Sequence, residues 1–129
     1  MALKITLKPY EKLIIGGAVI KNGDTKCSLL IENNVPLLRQ KDILSEKEAN
    51  SPARLIYFTI QLMYIDEKNL TEHHNHYWKF VREFLSAVPS ALSLIDQISE
   101  KILENNHYKA LKLCRKLINY EQEVLASVQ

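Results

Sequence analysis

Near residue 44 the spacing of apolar side chains changes from a period of two to a helical period, so one chain must supply both a sheet and a set of helices. In Leu3-Lys4-Ile5-Thr6-Leu7-Lys8 the apolar side chains face one way and Lys4, Thr6 and Lys8 the other, as in a half-buried strand. Pro9-Tyr10 breaks that run. Glu11 to Ile15 predicts a second strand ending at Gly16-Gly17, where a turn or bulge costs least. Ala18 to Lys21 then meets Asn22-Gly23, the pair favoured in type I′ hairpins, and the next strand runs from Lys26 to Glu32. Val35 to Arg39 contains Pro36 and belongs at a sheet edge. Residues 1–44 are thus expected to form one small antiparallel sheet, which needs helices or a second copy of itself to pack against.

From Ser45 onward the pattern is helical. Ser45-Glu46-Lys47-Glu48 is a capping box, and Ser51-Pro52 supplies an N-cap with the proline favoured at the first helical position. Between Ala53 and Ile65 apolar residues cover nearly the whole circumference, which predicts a helix buried in the middle of its neighbours. Asp66 to Asn69 is expected to be a loop, with Thr71 capping a helix to Val88 whose stripe is Tyr77, Phe80, Val81, Phe84, Leu85 and Val88. After a break at Pro89-Ser90, Leu92, Ile95, Ile98, Ile102 and Leu103 form another stripe. Asn105-Asn106 interrupts again, and the last helix spans about His107 to Ala126 with Leu111, Cys114, Leu117, Ile118 and Leu125 facing inward. The expected class is α+β: a β unit over residues 1–44 and an α-helical bundle over residues 45–129.

Charge divides at the same boundary. The whole chain has a net charge of only +2, which by itself argues weakly against a polyanion partner. Up to residue 44, however, seven Lys and Arg face four Asp and Glu, while the remainder has ten against eleven. The sheet is basic and the helices are nearly neutral. A nucleic-acid face would have to lie on the sheet.

Other chemistries find little to build on. Cys27 and Cys114 are far apart and sit in apolar runs, as small core residues do, so neither a disulfide framework nor a zinc site is expected. His73-His74-Asn75-His76 places His73 and His76 on one helix face, but only His107 is available from a second element. A polar first turn accounts for the histidines better than a metal does. With three glycines there is no phosphate-cradling loop, no serine or cysteine stands in a nucleophile context, and Glu121 and Glu123 lie on different helix faces. An enzyme is not expected, and no cofactor is implied. The N-terminal run alternates apolar and polar residues instead of forming a signal-peptide block, and no stretch approaches the ~20 apolar residues of a membrane helix. These features predict a soluble cytoplasmic protein.

Several segments, in order and over nearly the full length, resemble the FlbT family of flagellin-synthesis regulators. They are Ala2-Leu3-Lys4-Ile5-Thr6-Leu7-Lys8-Pro9, Gly17-Ala18-Val19-Ile20-Lys21-Asn22-Gly23-Asp24 and Leu37-Leu38-Arg39-Gln40-Lys41-Asp42-Ile43-Leu44. Further along come Ser51-Pro52-Ala53-Arg54-Leu55-Ile56-Tyr57-Phe58, Gln61-Leu62-Met63-Tyr64-Ile65, and Tyr108 to Lys112 with Leu117 to Glu121. One departure is Tyr10, where the family pattern has the glycine of a Lys-Pro-Gly-Glu turn. The resemblance implies a cytoplasmic post-transcriptional regulator that associates with the untranslated leader of flagellin mRNA and represses its translation or promotes its decay, often in opposition to a FlaF-type protein. In some members the effect runs the other way.

A fainter resemblance links Lys8-Pro9-Tyr10-Glu11-Lys12-Leu13-Ile14-Ile15-Gly16 and Val35 to Ile43 to CsrA-type RNA regulators, which are dimers with interleaved strands. It departs at Leu7, where those proteins have an arginine. The likeness implies a homodimer with Lys4, Lys8 and Arg39 on one RNA-binding edge. Lys41 extends that edge. Arg54, just after the Pro52 helix start, is a further RNA contact or else a structural ion-pair partner. The alternative is an adaptor that acts on a protein through its helical half and touches RNA only indirectly.

Overall fold

The computed structural model of the protein describes residues 2–127. They divide into two compact units that meet in sequence between Ile43 and Leu44. Met1, Val128 and Gln129, which fall within the ranges expected from the sequence, lie outside the described residues.

In the first unit, strand β1 (Leu3–Leu7) pairs antiparallel with β4 (Cys27–Ile31), from Leu3 opposite Ile31 to Leu7 opposite Cys27. A second sheet has the order β3-β2-β5, with β2 (Lys12–Ile15) between β3 (Ala18–Lys21) and β5 (Leu37–Arg39). The expected single sheet is therefore two. The hairpin is the one at Gly16-Gly17: the φ angles there are 55° and 89°, and Ile15 faces Ala18 across the two-residue loop. Positive φ at both central residues is what a type I′ turn requires, and glycine adopts it freely.

Asn22-Gly23 does not make the hairpin expected of it, and β3 does not pair with β4. Gly23 is not among the positive-φ glycines. Instead the Asn22 side chain works as a clip. Its amide donates to the carbonyl oxygens of Lys8 at 2.8 Å and Thr25 at 2.9 Å, and its Oδ1 accepts from the Gly23 backbone at 2.9 Å. It thereby ties the end of β1 to the approach to β4. Long-range partners for a side-chain amide outweigh the local turn preference. As the sequence predicts, β5 lies at an edge, and the carbonyl of Pro36 just before it accepts from Gly16 N at 2.7 Å.

The core of this unit is small. Ile5, Leu7 and Leu13 are buried, with Ile15, Cys27, Leu29, Ile31 and Leu37 packed half-buried around them, and Ile14 and Leu38, paired between β2 and β5, are buried too. All four residues of β3 are exposed, and so are Leu3 and Leu30.

The second unit opens with the expected capping box: Ser45 N donates to Glu48 Oε1 at 3.0 Å and Glu48 N to Ser45 Oγ at 3.3 Å. The bond from the Ser45 backbone, with the Ser45 hydroxyl, holds the Glu48 carboxyl below its usual range. Helix α1 (Pro52–Ile65) starts at the expected cap, Ser51 Oγ accepting from Arg54 N at 3.2 Å. It packs against α2 (Leu70–Ala87) and α4 (His107–Ser127), and α3 (Leu92–Leu103) packs on α4. Two buried polar side chains on this unit find partners inside it: Gln61 bonds both Leu44 N and Leu44 O, and Tyr77 OH meets Ser99 Oγ at 2.7 Å. Burial pushes the Tyr77 phenol well above its usual range.

Helix α2 departs from the Thr71 start. Residues 67–69 form a 3-10 turn instead of an open loop, and it runs straight into a helix beginning at Leu70. Asp66 organises that entry: its carboxylate accepts from Asn69 Nδ2 at 3.0 Å and lies 3.0 Å from His73 Nε2. Those two contacts, Asn69 first, lower the Asp66 pKa. At the end of α3, Asn105 takes φ 63°, and the Asn105 and Asn106 amides bond back to Ile102 and Lys101. This Schellman closure is why Asn105-Asn106 separates two helices. Leu92, Leu103 and Leu125, expected to face inward, are exposed near helix ends.

Candidate nucleic-acid interface

Strand β1 sorts its side chains by alternation. Ile5 and Leu7 enter the core, while Lys4 and Thr6 face out, across from Leu30 and Ser28 of β4. Lys8 follows at the strand end and is exposed. At about 3.3 Å per residue, Lys4 and Lys8 lie on either side of Thr6 along the chain.

The Arg39 guanidinium comes to the same place from the other sheet: its Nη2 donates to Thr6 O at 3.3 Å. The structure thus brings Lys4, Lys8 and Arg39 around one residue of β1, within a single chain. Lys41 is exposed in the 3-10 turn Gln40–Asp42 directly after β5, and Lys12 N anchors that turn by donating to Gln40 Oε1 at 2.6 Å. Arg54 belongs to the helical unit, where its Nη1 donates to Asn50 Oδ1 at 3.4 Å.

The turn after β1 adds a group the sequence reading passed over. Glu11 N donates to Lys8 O at 3.1 Å, with Pro9 second and Tyr10 third, and Tyr10 has φ 62°. The backbone keeps the conformation that a glycine would adopt without strain, in the manner of a type II turn, with an aromatic residue in its place. Tyr10 is 59 % exposed, and Lys21 Nζ stands 5.7 Å from the centre of its ring. An aromatic replacing the turn glycine was the available signal. Tyr10 offers a face on which a base can stack, beside cations that can meet phosphates.

His73 and His76 turn to different partners. His73 turns to Asp66 and is buried, not solvated, and His76 stacks on Phe80 with centroids 6.2 Å apart. Among the described residues, no three of His, Cys, Asp and Glu come together as metal ligands would. Cys114 is buried and Cys27 half-buried, and burial pushes the Cys114 thiol far up, out of reach of thiolate chemistry near neutral pH. No helix among the described residues is long and apolar enough to cross a membrane.

Comparison with known proteins places the chain. The family model described as "Flagellar protein FlbT" matches residues 3–125. The chain belongs to the FlbT family. A FlbT relative from Bradyrhizobium diazoefficiens, named a probable flagellum biosynthesis repressor, is 47% identical over 96% of this chain and 85% of its own length. One from Caulobacter sp. (strain K31) is 42% identical over 99% of both chains. The flagellum biosynthesis repressor protein FlbT of Caulobacter vibrioides is 40% identical, covering 99% of this chain and 92% of that one. No solved structure matches. The FlbT match takes in both units, so the cation cluster on β1 and the helices belong to one family unit of sequence.

Proposed function

We propose that this FlbT-family chain is a regulator of flagellum synthesis that acts by direct contact between its β unit and unpaired segments of a flagellin mRNA leader. The observation that carries the reading is the gathering of Lys4, Lys8 and Arg39 around Thr6, next to the exposed ring of Tyr10. Single-stranded RNA is held by cations on its phosphates and by aromatic faces under its splayed bases. Lys4, Lys8 and Arg39 take phosphates, Lys41 extends their line, and Tyr10 with Lys21 takes a base. Arg54 contributes least, since its guanidinium already bonds Asn50.

The mechanism is stoichiometric, not catalytic. A bound leader loses ribosome access or becomes open to cellular nucleases, which fits relatives named as repressors. The setting is the cytoplasm, where the message is translated, and a FlaF-type protein is the opposing partner that the family resemblance suggests. The protein acts as a homodimer: exposed Val19 on edge strand β3 and exposed Leu3 and Leu30 give a second copy strands and apolar surface to join.

The test is retention of a flagellin leader RNA by the purified protein at several salt concentrations. Each phosphate contact on a single strand contributes about −0.7 to the slope of log affinity against log salt. Lys8→Ala with Arg39→Ala should flatten that slope by about 1.4 while leaving the helical circular dichroism unchanged. A salt-independent signal, or none, removes the direct-binding reading.

A further inference from the structure

The helical unit carries a groove that the RNA reading leaves unused. It has a volume of about 590 Å³ and runs between the start of α1, the second half of α2 and the end of α4. Leu55, Phe80, Phe84, Val88, Val124 and Leu125 give it apolar walls. Leu125 is 54 % exposed there, so the groove accounts for an apolar side chain that the helix pattern would have placed inside.

The charged residues that line it are two carboxylates, Glu83 and Glu121. Glu121 is 94 % buried by residue, being 6 % exposed. Its Oε2 accepts from Ala53 N at 2.8 Å, at the first turn of α1. Its Oε1 is buried with no hydrogen-bond partner. Buried acceptors are almost always satisfied, so an orphaned carboxylate oxygen beside an apolar groove marks a place for a donor brought from outside. Two acids also make the groove repellent to RNA phosphates.

We propose that this groove receives a short amphipathic helix of a partner protein, whose apolar face lies on Phe80, Val88 and Val124 and whose lysine or arginine donates to Glu121 Oε1. Helix-in-groove recognition uses apolar anchors at i, i+3 or i+4, and i+7, and the groove supplies walls of that kind from three helices. The basic residue supplies specificity: only a segment that carries one satisfies Glu121 and balances Glu83. The groove is lined by residues of the helical unit, whereas Lys4, Lys8, Arg39 and Lys41 belong to the β unit.

The experiment is selection of a displayed random library of peptides about 15 residues long, which is marginal for a helix alone in water, so that the helix is ordered by the groove. The bait is the full-length protein. Enriched sequences should carry apolar residues at helical spacing with one Lys or Arg. Their affinity, measured by fluorescence titration, should fall about tenfold with Glu121→Gln or Glu83→Lys, the equivalent of one charge-assisted hydrogen bond. Phe80→Asp should abolish binding. Glu121→Gln keeps an oxygen for Ala53 N, and Glu83 is exposed, so both variants should melt like the parent. The proposal is overturned if no sequence is enriched over the Phe80→Asp bait, if the enriched peptides lack a basic residue, or if both Glu variants bind unchanged. It also fails if leader RNA displaces the peptides, or if Phe80→Asp instead dissolves a homodimer, since the groove then holds a different occupant.

Discussion

Helix α1 has no exposed side chain after Pro52, whereas strand β3 has no buried one. The two units reach stability by different routes. The helical unit surrounds α1 with α2 and α4 and sets buried Tyr57, Ile60 and Met63 among them. The β unit buries Ile5, Leu7, Leu13, Ile14 and Leu38, leaves β3 wholly in solvent, and carries three positive charges in excess. Exposed strand surface adds little to stability, so its cost is tolerated where the surface has a use. Burial belongs to the helices and surface chemistry to the sheet.

The sharpest way to break that contrast is to remove volume from α1. Ile60 is fully buried, so Ile60→Ala should cost about 2–5 kcal/mol, read as a lowered denaturant midpoint of the helical signal. A loss within ~0.5 kcal/mol would show that α1 is not the centre of the helical core.

Next in size is Gly17→Ala. With φ 89° at that position, an alanine should cost about 1–2 kcal/mol, because a Cβ crowds the following carbonyl in that conformation. Amide exchange should accelerate in β2 and β3 and stay unchanged in the helices. Equal acceleration in both units would mean that they do not unfold as separate units.

The smallest effect is a pH dependence confined to the helical unit. His107 is buried at the start of α4, and that burial, with the nearby His74, holds its pKa below the ordinary 6.5, against an opposing pull from Glu67. The fold therefore keeps His107 neutral while the unfolded chain takes up a proton. Stability should be full above about pH 6.5, fall as the pH drops below that value, and level off once it passes the folded pKa. His107→Gln should flatten this part of the profile. An unchanged slope would assign the titration elsewhere.

Local signals in the sequence were legible wherever their partners are also local. The change of period, Gly16-Gly17, the Ser45–Glu48 box and the Ser51-Pro52 start all act within a few residues, and the structure has each of them. Asn22-Gly23 misled because Asn22 finds acceptors at Leu7 and Lys8, far back along the chain. The Thr71 start failed because Asp66 ties Asn69 and His73 into the helix entry one residue earlier. In the candidate interface, alternation along β1 made the outward direction of Lys4 readable. The meeting of Arg39 with Thr6 was not, since β1 and β5 belong to different sheets and no periodicity reports their approach. At Tyr10 the missing turn glycine was legible, but the exposed ring beside Lys21 was not, since its place depends on the folded turn.

The central claim, that the sheet and not the helices meets RNA, is tested most directly by a salt titration of leader-RNA binding with three proteins. These are the parent, Lys8→Ala with Arg39→Ala, and a matched helical-surface control, Lys79→Ala with Arg82→Ala, both of whose positions are exposed on α2. The account predicts a slope flatter by about 1.4 for the sheet pair and a parental slope for the helix pair. A parental slope for the sheet pair, or equal flattening by both pairs, would contradict it.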